Sequence, residues 1–210
     1  MRRLKRLPYN IGCQMKIRPA TETDRDAIWK IFHEVIAPGD TYALDPNISR
    51  QDGLAYWFAQ DTHTYVAEGD DVGNDVAVPG KPTTSPTIIT VKQILGTYIL
   101  KPNQSGGGSH VANAGFMVSA SARGQGIGRA MAEHCLGEAR RLGFRAMQFN
   151  YVISTNAAAI RLWKDLGFEI IGTLPDAFDH PEKGYVDVYV MYRSLLARRV
   201  QHARRSRHTS

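Results

Sequence analysis

The segment Val118-Ser-Ala-Ser-Ala-Arg-Gly-Gln-Gly-Ile-Gly-Arg129 lies between a run of strand-forming residues and an amphipathic helical pattern. Glycines alternate along it at Gly124, Gly126 and Gly128. They remove side chains where the loop enters the helix, so backbone N–H groups can approach an anion closely. The helix N-terminus favours negative charge at the same place, and Arg123 and Arg129 add cationic partners. The segment therefore predicts a phosphate-binding loop.

Spacing separates this loop from two other phosphate-binding motifs. A nucleoside-triphosphate P-loop needs Gly-Lys-Ser/Thr, which the segment lacks. A dinucleotide-binding loop reads GxGxxG and has an acidic residue about twenty positions later, whereas here the glycines read GxGxG and no such acid follows. A glycine-rich helix start that binds nothing is the alternative that remains open.

Hydrophobic periodicity in the rest of the chain predicts alternating strands and helices. Strands are predicted at 15–18, 64–68, 88–100, 111–118, 146–153, 168–173 and 185–192. Helices are predicted from a Thr23-Asp24 cap to Pro38-Gly39, at 49–58, at 127–142 before Gly143, and at 157–166 after an Asn156 cap. Residues 69–87 are predicted to form a long loop. This order indicates an α/β fold, a single domain with helices flanking a mixed sheet.

Length and charge set the domain organisation. The chain has 210 residues, 43% of them hydrophobic, which suits one domain with one sizeable core. Nine of the 26 basic residues lie in residues 1–14 and 194–210, leaving 17 against 20 acidic residues in 15–193. We therefore predict a basic N-terminal extension, a mildly acidic domain over 15–193, and a disordered basic tail. A nucleic-acid partner is disfavoured, and weak contact through the tails is the alternative.

Apolar runs and cysteines exclude two further classes of protein. No run approaches the roughly 20 apolar residues of a membrane helix, and no secretory signal is recognisable, so a cytoplasmic protein without membrane partners is expected. The two cysteines, Cys13 and Cys135, cannot form a disulfide scaffold or a CxxC zinc site. We expect no metal.

Two motifs resemble the GNAT superfamily of N-acetyltransferases. Arg123-Gly-Gln-Gly-Ile-Gly128 matches the RxxGxG loop that binds the acetyl-CoA pyrophosphate in that family. Asn156-Ala-Ala-Ala-Ile-Arg-Leu-Trp-Lys-Asp-Leu-Gly-Phe168 resembles its second motif, N-x-x-A-x-x-L-Y-x-x-x-G-F. With the order of elements, the resemblance covers roughly residues 15–193. It implies a GNAT-type domain with a sheet of about six or seven strands, and two strands, 111–118 and 146–153, that splay apart to admit acetyl-CoA.

The resemblance also implies an activity: direct attack of an amine on the thioester of acetyl-CoA, the co-substrate. Backbone groups near Phe116 and Val118 would pair with the pantetheine arm and polarise the thioester carbonyl. The residues implied to bind the cofactor are Phe116, Met117, Val118, Arg123, Gly124, Gln125, Gly126, Ile127, Gly128, Arg129 and Asn156. For Asn156, a role only as helix cap is the alternative.

The expected proton-transfer groups do not carry over from the family. Trp163 stands where many members have a Tyr that protonates the leaving thiolate, and an indole N–H cannot serve as an acid near neutral pH. Many members place a catalytic Glu on the strand that enters the loop, but residues 111–118 contain none. His110 is the candidate base, directly or through water; an ordered water alone, or a His110 that merely ends a turn, is the alternative.

Strand alternation indicates a polar cleft. Asn113 falls on one face of its strand, and Asn150 falls on the more polar face of the following strand, so the two amides are expected to converge. A solvated Asn113 is the alternative.

A closer resemblance, to the azetidine-2-carboxylate N-acetyltransferase subgroup, matches the segments around these two asparagines and Asn156. It implies that Asn113 and Asn150 are active-site residues that bind the substrate carboxylate. It also places Tyr42 where an aromatic residue lines the substrate pocket.

The sequence thus predicts an acetyl-CoA-dependent N-acetyltransferase whose acceptor is a small amine or an amino or imino acid. A protein or peptide N-acetyltransferase is one alternative, and a non-catalytic acyl-CoA-binding module is another. Relatives of this fold often dimerise, so a homodimer is among the expected states.

Overall fold

The computed structural model of the chain describes residues 15–72 and 90–196, with side chains described for 15–69 and 92–196. Within these ranges the chain forms seven strands and four α-helices. In chain order they are β1 (Lys16–Pro19), α1 (Arg25–Ile36), α2 (Arg50–Trp57), β2 (His63–Val72), β3 (Thr90–Pro102), β4 (Val111–Val118), α3 (Ile127–Arg141), β5 (Ala146–Ile153), α4 (Ala157–Asp165), β6 (Glu169–His180) and β7 (Gly184–Ser194).

One sheet contains all seven strands, in the order β1-β2-β3-β4-β5-β7-β6. Neighbouring strands run antiparallel except β4 and β5, which are parallel. The prediction of an α/β domain with a mixed sheet of about six or seven strands flanked by helices is confirmed. β4 and β5 also have the predicted bounds, because each is a short apolar run closed by clear stop signals.

Several element bounds differ from the predictions. β2 continues to Val72, so residues 69–72 belong to a strand, while the rest of the expected loop lies outside the described residues. β6 continues to His180 through Pro175 and Asp176, where β-bulges interrupt its pairing with β7 and Asp176 has a φ of 51°. β7 includes Ser194, and the predicted extension 1–14 and most of the tail lie outside the described ranges.

The start of α1 depends on ion pairs rather than on the Thr23-Asp24 cap. The Asp24 carboxylate accepts from the Thr21 backbone N–H (2.7 Å) and from Arg18, whose guanidinium also lies 2.7 Å from Glu68 on β2. The Arg18 guanidinium lowers the pKa of Asp24 to about 2. These contacts join β1, β2 and the turn before α1.

Helices cover both faces of the sheet. α3 and α4 pack on one face, where Met131, Cys135 and Trp163 meet strand residues such as Met147 and Phe149. α1 and α2 pack on the other face, over a second cluster that includes Phe32, Trp57, Ile99 and Met117. Between the clusters, β3 and β4 form the centre of the molecule.

At Gly96, β3 lies very close to two neighbouring elements. A Cβ atom there would lie 2.8 Å from the Met131 Cε of α3 and 2.9 Å from the carbonyl oxygen of Met117 on β4. The methionine can move, but the carbonyl belongs to the sheet and cannot.

We predict that Gly96→Ala lowers the free energy of unfolding by about 1–3 kcal/mol, because the added methyl overpacks the sheet. Urea denaturation measures it. Gly137→Ala is the matched control: Gly137 is exposed in α3 with no heavy atom within 4 Å of the place its methyl would take, and there alanine should add about 0.5–1 kcal/mol through helix propensity. Equal stability of the two variants would contradict the prediction.

Candidate active site

The site begins where two parallel strands separate. β4 and β5 pair only at Val111↔Ala146 and Ala112↔Met147, although both strands continue for six more residues. On its other side β4 stays paired with β3 up to Val118↔Gly96. The structure therefore has a gap between β4 and β5 at the carboxyl end of β4.

Tyr42, from the segment after α1, inserts its hydroxyl at this gap. The Phe116 N–H donates to Tyr42 Oη, and that hydroxyl donates to the Phe116 carbonyl oxygen, both at 2.8 Å. Peptide groups alternate sides along a strand, so those of Ala114 and Val118 also face the gap. Burial raises the pKa of Tyr42, which keeps the hydroxyl protonated and able to donate.

By the same alternation, Met117 does not contribute to the gap. It pairs with Thr97 on β3, and its side chain is buried in the α1 and α2 cluster. Of the strand residues expected to bind the cofactor, only Phe116 and Val118 present peptide groups there.

The glycine loop has the backbone that a phosphate-binding loop requires. Gly124 and Gly126 have φ values of +76° and +84°, and a Cβ at either would meet no atom within 4 Å. No described side chain caps α3 at Gly126, so the first N–H groups of this 15-residue helix have no cap from the described residues. Gln125 holds the loop by donating to the Ser121 carbonyl oxygen (2.8 Å). A phosphate could accept hydrogen bonds from these N–H groups without displacing any side chain.

The predicted cationic partners of the loop differ in their surroundings. Arg129 forms an ion pair with Asp165 of α4 (2.7 Å), whereas Arg123 is exposed and forms no ion pair with a described residue. The Ile127 side chain is buried in the core, so only its backbone can reach a ligand. A Cβ atom added at Gly128 would lie 3.8 Å from Cγ2 of Val118.

Asn156 caps α4 and lies beside a cavity. Its side-chain oxygen accepts from the Ala159 N–H (3.1 Å). The residue also lines a cavity of about 360 Å³ that extends from the gap between β4 and β5 across the α1 and α2 face of the sheet. The predicted cap is therefore present, and its side chain lies beside the cavity.

Three asparagines meet in this cavity: Asn113 on β4, Asn150 on β5, and Asn103 directly after β3. Asn113 and Asn150 both donate to Asn103 Oδ1, at 3.1 and 2.6 Å. Gln148 in turn donates to Asn150 Oδ1 (2.9 Å). The structure thus brings together the two asparagines that alternation predicted to converge, and Asn103 connects them.

His110 does not reach the cavity. It lies before the first residue of β4, is exposed, and has Nδ1 3.0 Å from the Gly107 carbonyl oxygen. Gly115 at the gap lies five residues further along the chain, a distance of about 16 Å in a strand. The structure therefore does not bring this candidate base to the other predicted site residues.

Trp163 fills the position of the usual tyrosine as a packing residue. Its ring lies 5.0 Å from that of Phe116 and 4.6 Å from that of Phe149, and its side chain is buried. Among the described residues that line the cavity there is no Asp, Glu or His. For proton transfer these residues offer hydroxyl groups and Lys101, but no carboxylate or imidazole.

The sequence interpretation missed two polar residues of the cavity, Lys101 and Asn103. Both follow the apolar run of β3, where alternation places Ile99, Lys101 and Asn103 on one face. This alternation can be read from the sequence, but the pairing of β3 with β4, which brings these residues beside Asn113, cannot.

Comparison with known proteins agrees with this geometry. The model of the acetyltransferase (GNAT) family matches residues 47–168, more than half of the chain. The chain belongs to the GNAT family. The N-acetyltransferase aca1 of Schizosaccharomyces pombe is 35% identical over 156 residues, which are 74% of this chain and 72% of that protein.

Solved structures show the same fold. A GCN5-related N-acetyltransferase from Kribbella flavida is 39% identical with a TM-score of 0.71, covering 86% of this chain and 97% of that one. A phosphinothricin acetyltransferase from Sinorhizobium meliloti, solved with acetyl-CoA, is 19% identical with a TM-score of 0.66, covering 86% and 88%. This GNAT protein is accordingly an acetyl-CoA-dependent N-acetyltransferase.

The described residues meet neither the requirements for a membrane-spanning helix nor those for a metal site. None of their helices has the length and hydropathy needed to span a bilayer. Nor do their His, Cys, Asp and Glu side chains form a group of three or more that could hold a metal ion.

We predict that Gly126→Ala weakens acetyl-CoA binding roughly tenfold, because a left-handed alanine costs about 1–2 kcal/mol and the loop will relax away from its binding conformation. Isothermal calorimetry measures the affinity. Gly137→Ala is the control, because Gly137 lies in α3 outside the loop and no heavy atom lies within 4 Å of the place its methyl would take. Equal losses in the two variants would refute the role of the loop backbone.

Proposed function

We propose that this GNAT enzyme transfers the acetyl group of acetyl-CoA to the nitrogen of a small amino or imino acid by direct attack. The observation that carries the proposal is the cavity of about 360 Å³, which opens at the β4–β5 gap and contains the amides of Asn103, Asn113 and Asn150. Its volume suits a small molecule.

The residues around the gap fit acetyl-CoA. The N–H groups at the start of α3, with Gly124 and Gly126, suit the pyrophosphate, and Arg123 adds an exposed cation beside them. The peptide groups of Ala114 and Phe116 would pair with the pantetheine arm along the edge that β5 leaves unpaired. Acetyl-CoA supplies an activated acetyl thioester at the inner end of this path.

Tyr42 and Phe116 would orient the acyl group. The Phe116 N–H can polarise a thioester carbonyl only when the Tyr42 hydroxyl no longer accepts from it. A small rotation of Tyr42 releases this donor and leaves the hydroxyl beside the reacting atoms, where it can itself donate. Asn156 would reach the acyl end of the arm from the first turn of α4.

The acceptor enters as a neutral amine. No carboxylate or imidazole occurs among the described residues that line the cavity, and in this proposal the amine proton leaves to water rather than to a protein base. The leaving thiolate, with a pKa near 8.5 as a thiol, needs little assistance near neutral pH, which is consistent with Trp163 in place of the usual tyrosine. In this proposal the enzyme works by positioning and polarisation.

Carboxylate recognition by Asn113 and Asn150 narrows the acceptor to amino and imino acids. Support comes from the resemblance to the azetidine-2-carboxylate N-acetyltransferase subgroup and from the shared contact of both amides with Asn103. Each amide group retains a second N–H that a carboxylate could accept from.

A peptide or protein acceptor is the second candidate. Tyr42 and Tyr56 line the acceptor side of the cavity. A polypeptide acceptor would need a longer open groove than a cavity of about 360 Å³ provides. We infer a small-molecule acceptor for this reason, and we expect a cytoplasmic enzyme that functions without nucleic acid; a homodimer is also part of this proposal.

We predict that Asn113→Ala and Asn150→Ala each lower kcat/KM for azetidine-2-carboxylate about 10- to 100-fold, because each removes a hydrogen bond to a charged group. Release of free CoA thiol measures the rate. Asn47→Ala, at an exposed position before α2, is the control and should match the wild type.

Other outcomes change the conclusion in defined ways. Turnover of polyamines or peptides with no turnover of imino acids would keep the acetyltransferase and defeat the proposed acceptor class. Full activity of both asparagine variants toward azetidine-2-carboxylate would defeat the proposed role of this pair.

A further inference from the structure

We propose that Lys101 is the counter-ion for the acceptor carboxylate, so that Lys101 decides between acceptors that carry a carboxylate and those that do not. This inference rests on the proposed function, because it concerns the acceptor end of the same cavity. Neither the motifs nor the resemblance assigns Lys101 a role.

The sheet places Lys101 beside the asparagines. Lys101 on β3 lies directly opposite Asn113 on β4 in the antiparallel register. Directly opposed residues share a face of a sheet, so both side chains project toward α1 and α2. Both line the cavity, and Asn103, two residues further along the chain, lies on that face as well.

Tyr56 holds the ammonium of Lys101 at the cavity wall. The Lys101 Nζ lies 5.1 Å from the centroid of the Tyr56 ring, and this tyrosine comes from α2. A cation over an aromatic face is attracted to it, which restricts a long and otherwise mobile side chain. The contact leaves Nζ able to donate hydrogen bonds to a ligand.

The charge of Lys101 lacks a negative partner. It forms no ion pair with any residue that the structure describes. Among the described residues lining the cavity it is the one charged side chain. A cation in a partly closed site gains most from a ligand that brings the opposite charge. A carboxylate supplies it.

Asn103 offers a second donor to the same anion. Its Oδ1 accepts from two amide groups, Asn113 and Asn150, and exchanging its oxygen and nitrogen would place its NH2 group against these two donors. This network directs the Asn103 oxygen toward the other two asparagines. Its Nδ2 has no acceptor among the described residues. Lys101 Nζ and Asn103 Nδ2 can together bind the two oxygens of one carboxylate.

The same charge acts on the reacting nitrogen. A positive group in the cavity disfavours an ammonium ion and favours the neutral amine, which is the form that attacks a thioester. It also disfavours polyamines, whose remaining ammonium groups would lie near Lys101. One residue thus selects for the carboxylate and against a second cation.

The experiment compares two acceptors that differ by the carboxylate alone, azetidine-2-carboxylate and azetidine, with wild type, Lys101→Met and Lys101→Arg. We expect the ratio of kcat/KM values, acid over amine, to fall about 10- to 100-fold in Lys101→Met, the loss expected for a charged hydrogen bond. Lys101→Arg should recover part of the ratio. Lys183→Met, in the exposed β6–β7 turn, is the charge-matched control and should leave the ratio unchanged.

A binding measurement separates this proposal from the proposed function. Calorimetry with CoA-loaded enzyme compares N-acetylproline with the uncharged N-acetylpyrrolidine. Wild type should bind the anion at least tenfold more tightly, and Lys101→Met should lose most of that preference while its melting temperature stays near that of the wild type. Equal binding of both probes to the wild type, or a preference that Lys101→Met retains in full, would overturn the role of Lys101. Absence of turnover with every acceptor would defeat the proposed function instead, and the binding result would still decide the inference.

Discussion

The loss of pairing between β4 and β5 after Ala112 is the constraint on which the site depends. A buried peptide group needs a hydrogen-bond partner, and the gap leaves those of Ala114, Phe116 and Val118 without a neighbouring strand. Within the protein, the Tyr42 hydroxyl is the hydrogen-bond partner of the Phe116 N–H and carbonyl groups. A ligand with amide and carbonyl groups along its length can pair with the remaining peptide groups of β4. Such a ligand explains why an unpaired strand edge is tolerated at the centre of the sheet.

The two ends of this gap favour negative charge by different physical means. At the outer end, uncapped N–H groups of α3 and two left-handed glycines provide backbone donors. At the inner end, Lys101 and three asparagine amides provide side-chain donors. Between them lies an aromatic wall that includes Phe116 and Trp163. The site is thus polar at both ends and apolar where the acetyl group would lie.

The elements nearest the site could be predicted most completely from the sequence. β4 and β5 are apolar runs with clear ends, and Asn156 gave the start of α4. The length of β6 could not be predicted, since Pro175 and Asp176 usually mark a turn, whereas here they form a bulge between two stretches that pair with β7. The roles of Asn103 and of the Tyr42 hydroxyl could not be predicted either, because each depends on a contact with a residue far away in sequence.

The most direct measurement is a crystal structure with CoA and N-acetylproline. We expect the pantetheine arm between β4 and β5, hydrogen-bonded to the peptide groups of Ala114 and Phe116, with the Tyr42 hydroxyl released from the Phe116 N–H. An arm bound elsewhere, with Tyr42 still bonded to both groups of Phe116, would contradict the claim that acyl transfer takes place at the gap between these two strands.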